Sequence, residues 1–575
     1  MTNPLKIRAD RAAAKRPLMR RWGFWLIIAI GIGAIVLGLA GWSLSGRALQ
    51  VKAELERAQA LATDLQAQAT ALDVAGATGT LEQIRSHTAR AVTLTDDPLW
   101  SAGELVPFVG TNLSAVRNIA SATDDTMSDV VAPLVSVAAT LTPANFAPKD
   151  GAIALQPFID AVPAVQASHA GLTKVMGRVE SIDTSGAIDE VAAARDQLAG
   201  LLAKVQPAIE TLDTIVPLLP PALGAEAPRK YVIMFQNNAE PRALGGTALS
   251  FAVINVAGGR IEFAETIPAG FRNFTGSKPV VALPDGTEEL FRGTLGTFIA
   301  NATSRPSFTT AAQITQEMWI RDQGYPVDGI VSIDPVALRY VLRATGPIPL
   351  STGDVLTSES LVPLLLNGVY QKFNTGNYTK DNTAQDAVYS EAVDATFGRL
   401  MSGTVDPPTL VAALTQGWNE SRILFWSAHE EEEAQLLAVG SNGELPVSDK
   451  TTERVGLYIE DNVGSKLGFY LQQAVQLSQA SCRADGRENY RVGTTLVNTI
   501  APSAVKTLSP SITGNYVKEK LAPAVYRLAV LLYAPPGSQI VGASVNGAPV
   551  AVDAHHDTDY PVGRIVVSIK PGETA

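Results

Sequence analysis

A run of 23 uncharged residues, 22–44, stands directly behind a basic stub, and no other feature narrows the possible architectures as far. Residues 1–21 carry Lys6, Arg8, Arg11, Lys15, Arg16, Arg20 and Arg21 against the single acid Asp10, a formal charge of +6. A helix of that length rises roughly 34 Å at about 1.5 Å per residue, enough to cross a hydrocarbon core of about 30 Å with some tilt. Trp22, Trp25 and Trp42 fall near its ends, where indoles favour the headgroup layer, and Arg47 closes the outer flank. Basic residues flanking a span stay on the cytoplasmic side. The expectation is a single-pass cell-membrane protein: a cytoplasmic stub at 1–21, a transmembrane helix at 22–44 and an extracytoplasmic bulk. Gly38-Leu39-Ala40 offers small residues to a signal peptidase, but the apolar stretch exceeds the roughly 7 to 15 residues of a signal core, which favours an uncleaved anchor.

Beyond the stub the charge reverses. The whole chain carries −11, so residues 22–575 carry −17. An acidic exterior excludes nucleic acid as a partner, because such binding needs a basic footprint. The membrane itself is the partner for the anchor, and the stub is a patch for anionic inner-leaflet lipids. The single cysteine, Cys482, permits no internal disulfide and reads as a buried small residue.

The roughly 530 residues after the anchor fill three or four domains at about 150 residues each. Val51, Leu55, Ala58, Ala62, Leu65, Ala69 and Leu72 recur at spacings of four and three, the seam of a coiled coil or tight helical hairpin. Gly76 and Gly79 are expected to break this helix before Leu81, Ile84, Thr88, Ala91 and Leu94 begin a second, antiparallel one. Helical patterns at 114–140, 155–182 and 187–215 extend it into an all-helical stalk or bundle over 45–216, a surface through which the chain could self-associate. Pro217, Pro220, Pro221 and Pro228 then read as a stiff hinge.

Past the hinge, strand patterns at 231–235, 248–256 and 261–264, with a glycine turn at 257–260, alternate with helical ones at 309–322, 335–345, 358–373 and 383–401. Residues 327–333 suit a buried strand, and Asp334-Pro335 suits a helix start. This is an α/β domain, 229–480. Strand patterns alone follow at 490–499, 524–533, 539–545 and 563–569, a β-sandwich over 488–575 that is expected to lack a final strand. The fold class is thus multidomain α+β: transmembrane helix, helical stalk or bundle, α/β domain and C-terminal β-sandwich.

Chemistry is sparse. There is no Walker loop, GxGxxG, HExxH, paired CxxC or GxSxG, and nothing calls for a cofactor. His555-His556, beside Asp553, Asp557 and Asp559, reads as a polar loop rather than a metal site, and Glu430, Glu431, Glu432 and Glu433 read as a solvated helix start. One segment stands out: Gln236-Asn237-Asn238-Ala239-Glu240-Pro241-Arg242-Ala243-Leu244-Gly245-Gly246, between two strands. Its amides can bond the backbone of an irregular turn, the glycines allow close approach, and Arg242 has the fork that grips carboxylate or phosphate. Two readings stay open: a self-buttressing structural loop, or an anion-binding loop made by Asn237, Asn238, Glu240, Arg242, Gly245 and Gly246.

The stretch from Arg229 to Glu240, with Arg242 and Gly245-Gly246, resembles the signature of the bacterial family called domain of unknown function 4012. Val327-Asp328-Gly329-Ile330-Val331-Ser332-Ile333-Asp334-Pro335, Gly346-Pro347, and Asn462 with Gly464-Ser465-Lys466 agree with it. So do Asp97-Pro98-Leu99-Trp100 and Val106-Pro107-Phe108-Val109-Gly110. The resemblance implies a single-pass envelope protein of unassigned activity. A more distant likeness, in the order of strands, loop and hairpin, is to the LytR-CpsA-Psr family of membrane-anchored glycopolymer transferases acting on polyprenyl pyrophosphate carriers. That family's arginine and aspartate after the first loop fall near Thr247-Ala248-Leu249-Ser250 here, and its later motif meets Pro268-Ala269-Gly270, which leaves Arg242 as the phosphate contact. Two functions follow as expectations: a cell-envelope protein of structural or interaction type, with an envelope protein or glycopolymer as partner, or a transferase or polyprenyl-pyrophosphate-binding protein.

Overall fold

The computed structural model describes residues 45–71, 73–105, 110–269, 274–440, 443–485, 487–514 and 516–575. The expected anchor, 22–44, the ends of two motifs at Leu72 and 106–109, and the side chains of Ala69 and Cys482 lie outside what is described. Among the described residues no helix is long and apolar enough to cross a membrane. The described residues form two compact units, one from 45–146 and 153–227, the other from 147–152 and 228–575.

The first unit is helical. Helix α1 (Ser45–Thr70) packs its seam of Val51, Leu55, Ala58, Ala62 and Leu65 against Ala77, Leu81, Ile84 and Ala91 of α2 (Val74–Thr95). Each large aliphatic side chain so buried contributes about 1.5 to 3 kcal/mol. The glycines do not break the pattern where expected. α2 already starts at Val74, because Asp73 caps it by accepting from the Gly76 amide at 2.9 Å, so Gly76 and Gly79 lie inside its first two turns. Helix α3 (Gly110–Asp125) runs through a π turn, Thr126–Val131, into α4 (Ala132–Thr140). The wide turn sits just before Pro133, which has no amide hydrogen to give a regular turn. Within it Val130 O accepts from Ser168 Oγ at 3.0 Å. Ser168 belongs to α5 (Gln156–Glu180), which packs beside α6 (Asp189–Ala222).

Of the expected hinge, Pro217, Pro220 and Pro221 are in helix instead, while Pro228 lies beyond the helix end, where the second unit begins. α6 continues through Pro207, Pro217, Pro220 and Pro221. Each interior proline removes an i→i−4 donor and crowds the carbonyl four residues back, so the helix carries a cost at each of these positions. Burial of Val216 and Pro220, with closing bonds from Leu223 to Leu219 O and Ala225 to Pro220 O, offsets it.

The second unit is built on a five-stranded mixed sheet. Strands β1 (Arg229–Asn237), β2 (Thr247–Ala257) and β3 (Arg260–Pro268) form an antiparallel meander, and β4 (Gly329–Ile333) lies parallel to β1. A short hairpin follows, β5 (Ile348–Pro349) with β6 (Val355–Leu356), and then β7 (Ile423–Ser427) completes the order β3-β2-β1-β4-β7. Gly258 and Gly259, at φ 56° and 81°, supply the left-handed turn that a two-residue hairpin needs between β2 and β3. Along β1 the pleat sends Val232 and Met234 into one core with Phe251, Phe274 and Trp319. Phe235 goes into the opposite core with Leu338, Leu342 and Leu365. Helices α7 (Phe308–Gln323), α8 (Pro335–Thr345) and α9 (Tyr378–Met401) supply the covering side chains.

Residues 488–575 do not form a separate sandwich. The strand β8 (Gly456–Asp461) from the preceding segment is the edge of a four-stranded antiparallel sheet, which also holds β11 (Tyr526–Tyr533), β14 (Asp553–Asp557) and β15 (Tyr560–Ile569) in the order β14-β15-β11-β8. One face of this sheet, with Leu531, Tyr533 and Val562, enters the core that holds Trp319, and the other, with Tyr526, Leu528 and Ile569, enters the core that holds Phe235. A second sheet facing it is unnecessary, because the α/β layer already covers both faces. β9 (Leu471–Cys482) and β10 (Glu488–Asn498) form a separate two-stranded ribbon, as do β12 (Ala543–Val545) and β13 (Ala548–Val550).

Candidate functional site

The loop 236–246 leaves β1 at a register shift after Phe235 and returns as β2. Gln236 is buried and ties the loop's two ends together: its Nε2 donates to Ser332 Oγ on β4 at 2.6 Å, and its Oε1 accepts from the Gly246 amide at 2.7 Å. Asn237 accepts from the Ala239 amide at 3.0 Å, an Asx turn, and donates to Tyr370 Oη at 2.8 Å. Tyr370 in turn meets Tyr389 Oη at 2.9 Å, and Tyr389 donates to Leu365 O. Burial holds both phenols well above the ordinary tyrosine range. Asn238 donates to Asp334 Oδ2 at 3.0 Å, where Asp334 also caps α8 through the Ala337 amide and takes Arg422 Nη1 at 2.7 Å.

The charged members of the loop are engaged as well. Glu240 pairs with Lys466, whose ammonium lies 5.1 Å from the Tyr370 ring centre. Burial pushes the Lys466 ammonium down to about 8. Arg242, half-buried, donates from Nη1 to Pro241 O at 2.9 Å and Asp461 O at 3.4 Å, and from Nη2 to Asn301 Oδ1 at 3.4 Å. Gly245 has φ 124°, and a Cβ there would stand 2.7 Å from Gln236 Oε1. A Cβ on Gly246 would stand 2.4 Å from Asn237 O, so both glycines are required for the loop to close on its own backbone.

The partner of this loop is the turn after β8. Asp461 donates its amide to Pro241 O at 3.0 Å, and its carboxylate gathers the amides of Val463 at 2.6 Å, Gly464 at 3.1 Å and Ser465 at 2.8 Å, with Ser465 Oγ at 2.9 Å. Burial raises Asp461, while Arg242 and these donors pull it down. Gly468 then donates to Ala239 O at 2.9 Å. All six residues expected of an anion-binding loop are therefore together, but Asn237, Asn238, Glu240 and Arg242 face protein partners. The sequence pointed to Gly464, Ser465 and Lys466 only as a motif, and Asp461, Tyr370 and Asp334 were missed as members of this network. An acidic residue ahead of a Gly-Ser pair is the one signal that could have found Asp461.

The cavity alongside Gln236, lined by Phe235, Leu249, Pro335, Leu338, Leu365 and Tyr389, holds about 10 Å³, the space of one water. Other expected clusters disperse. His555 bonds Asp553 at 3.1 Å and His556 bonds Asp285 at 3.2 Å, from adjacent and so opposite-facing positions on β14. Asp557, fully buried, receives Arg305 Nε and Nη2 at 2.9 Å each and Tyr533 Oη at 3.1 Å. Among the described residues no group of three or more His, Cys, Asp or Glu is placed to hold a metal ion. The glutamate run is not wholly solvated. Glu432 pairs with Arg229 at 2.7 Å, and Glu433 accepts from the Ser427 amide at 3.0 Å.

By its fold this unit is a mixed α/β layer joined to an antiparallel sheet, with a cross-braced polar loop at the end of its central strands. Residues 226–370 match the family described as protein of unknown function (DUF4012), and that stretch includes the whole of the loop and its first block of motif residues. No curated protein matches the chain.

Proposed function

We propose that this chain is a single-pass, membrane-anchored, extracytoplasmic protein of the cell envelope, structural or interacting in role, with its stub in the cytoplasm. The uncharged run 22–44 behind a +6 stub supports the location. The observation that carries the role is Arg242: its guanidinium serves two backbone carbonyls and Asn301, so the residue that best suits a phosphate is a brace. The cavity beside the loop, about 10 Å³, supports the same reading, since a polyprenyl chain needs a deep apolar channel. The partner is an envelope protein or glycopolymer met by an exterior of charge −17.

Two measurements test this. Protease added outside intact spheroplasts should digest the chain down to a fragment holding 1–44, and full protection of the bulk would overturn the location. The full-length protein and Arg242→Ala should bind a fluorescent polyprenyl pyrophosphate equally and negligibly. Saturable binding by the parent, lost in Arg242→Ala, would establish the transferase or carrier-binding function instead.

A further inference from the structure

The β9–β10 ribbon leaves the body of its unit: from Gln472 to Gln479 every residue of β9 is exposed, and among the described residues β10 is the strand that pairs with it. A two-stranded ribbon is marginal in water, and an open strand edge is a template for another strand. Proteins ordinarily blunt such edges with charge or proline. Residues 471–482 of β9 carry neither. On one face of the ribbon Val475 and Leu477 are 50% and 54% exposed, Tyr490 is 44% exposed, and Val492 lies directly across from Leu477. This is an apolar strip on an otherwise polar arm.

The order of residues about Gln476 reads nearly alike in both directions: Gln473, Ala474, Val475, Gln476, Leu477, Ser478, Gln479. We infer that β9 pairs edge to edge with β9 of a second copy of this chain, antiparallel, about a two-fold axis at Gln476. In that register Val475 faces Leu477 of the second copy, Leu477 faces its Val475, Ala474 faces its Ser478, Gln473 faces its Gln479, and the two Gln476 amides face each other. Apolar meets apolar, small meets small, and amide meets amide. A slip of one residue sends the two apolar strips to opposite faces. A slip of two sets Val475 or Leu477 against a glutamine. The uncharged edge also brings no like charges together, which directly opposed positions would penalise. A second copy carries the matching row by construction. The product is a four-stranded sheet, β10-β9-β9-β10, with the two strips joined in one patch, and a two-fold contact of this kind closes as a dimer rather than a fibre.

The test uses the full chain in its membrane. With Cys482→Ser removing the one native thiol, Gln476→Cys places two thiols opposite each other, at a Cβ separation of about 4.5 to 5.5 Å. Gln472→Cys in the same background sets its two copies eight residues apart along the paired strands, about 27 Å. Mild oxidation should cross-link the 476 variant at least tenfold more than the 472 variant, and equal cross-linking, or none at 476, would overturn the pairing. Sedimentation of the detergent-solubilised chain should show a dimer that Gln476→Lys weakens at least tenfold with an unchanged melting profile, because the new charges oppose each other. A parent that stays monomeric, or a dimer indifferent to Gln476→Lys and so held elsewhere, would refute it.

Discussion

Lys466 and Glu240 show what the loop 236–246 demands of single residues. The pair is mostly buried, at 13% and 15% side-chain exposure, so removing one partner strands the other charge among Tyr370 and the loop backbone. Lys466→Met alone should destabilise the protein by about 3 to 5 kcal/mol, whereas Lys466→Met with Glu240→Leu should recover most of that loss, as read from urea unfolding of the four members of the cycle. Failure of the double variant to recover would mean that Glu240 has another essential partner. At this scale the sequence was half informative. The amides and glycines of 236–246 announced an irregular turn, since few other structures need that set. The acceptors did not announce themselves, because Asp334, Tyr370 and Asp461 lie about 100 to 220 residues further on, beyond the reach of any local pattern.

Elements were legible where a local rule governed them. The α1 seam and the β2–β3 hairpin follow from spacing and from a Gly-Gly turn, both readable within a few residues. β9 was not, because four glutamines in Leu471–Cys482 give almost no apolar alternation, and β8 was not, because a short run ending in Glu460-Asp461 looks like a loop. The helical hairpin also carries a titratable brace: Glu54 of α1 meets His87 of α2 at 2.5 Å, with Arg57 and Arg90 beside it. Burial alone would raise Glu54, but the His87 bond and the arginine charges outweigh it and hold the carboxyl below its usual value of 4.5. A carboxyl lowered on folding stabilises the native state fully above 4.5 and loses that contribution as pH falls through the lowered value. Unfolding midpoints of the parent should therefore drop below about pH 4.5 more steeply than those of Glu54→Gln, and identical slopes would remove Glu54 from the acid response.

At the scale of the molecule, the joining of β8 to β11 makes the residues from Pro228 to Ala575 one folding body where the sequence suggested two. Arg305 and Asp557 fasten it across 252 positions. Arg305→Met leaves the buried Asp557 carboxylate without its counter-charge, held by the Tyr533 hydroxyl, and should cost about 3 to 5 kcal/mol. Hydrogen exchange should then show β1, β8, β11 and β14 losing protection together, and loss confined to β14 would mean that the C-terminal strands fold by themselves. The same closure has a temporal side. A ribosome delivers β8 before β11 and Arg305 long before Asp557, so the apolar face awaiting Leu531 and Tyr533 stays open until nearly the whole chain has emerged. Non-local pairing of this kind folds slowly and exposes aggregation-prone surface meanwhile. The nascent chain is accordingly expected to need that face shielded during synthesis, and partial products ending before Tyr533 should be degraded by added protease faster than the full chain.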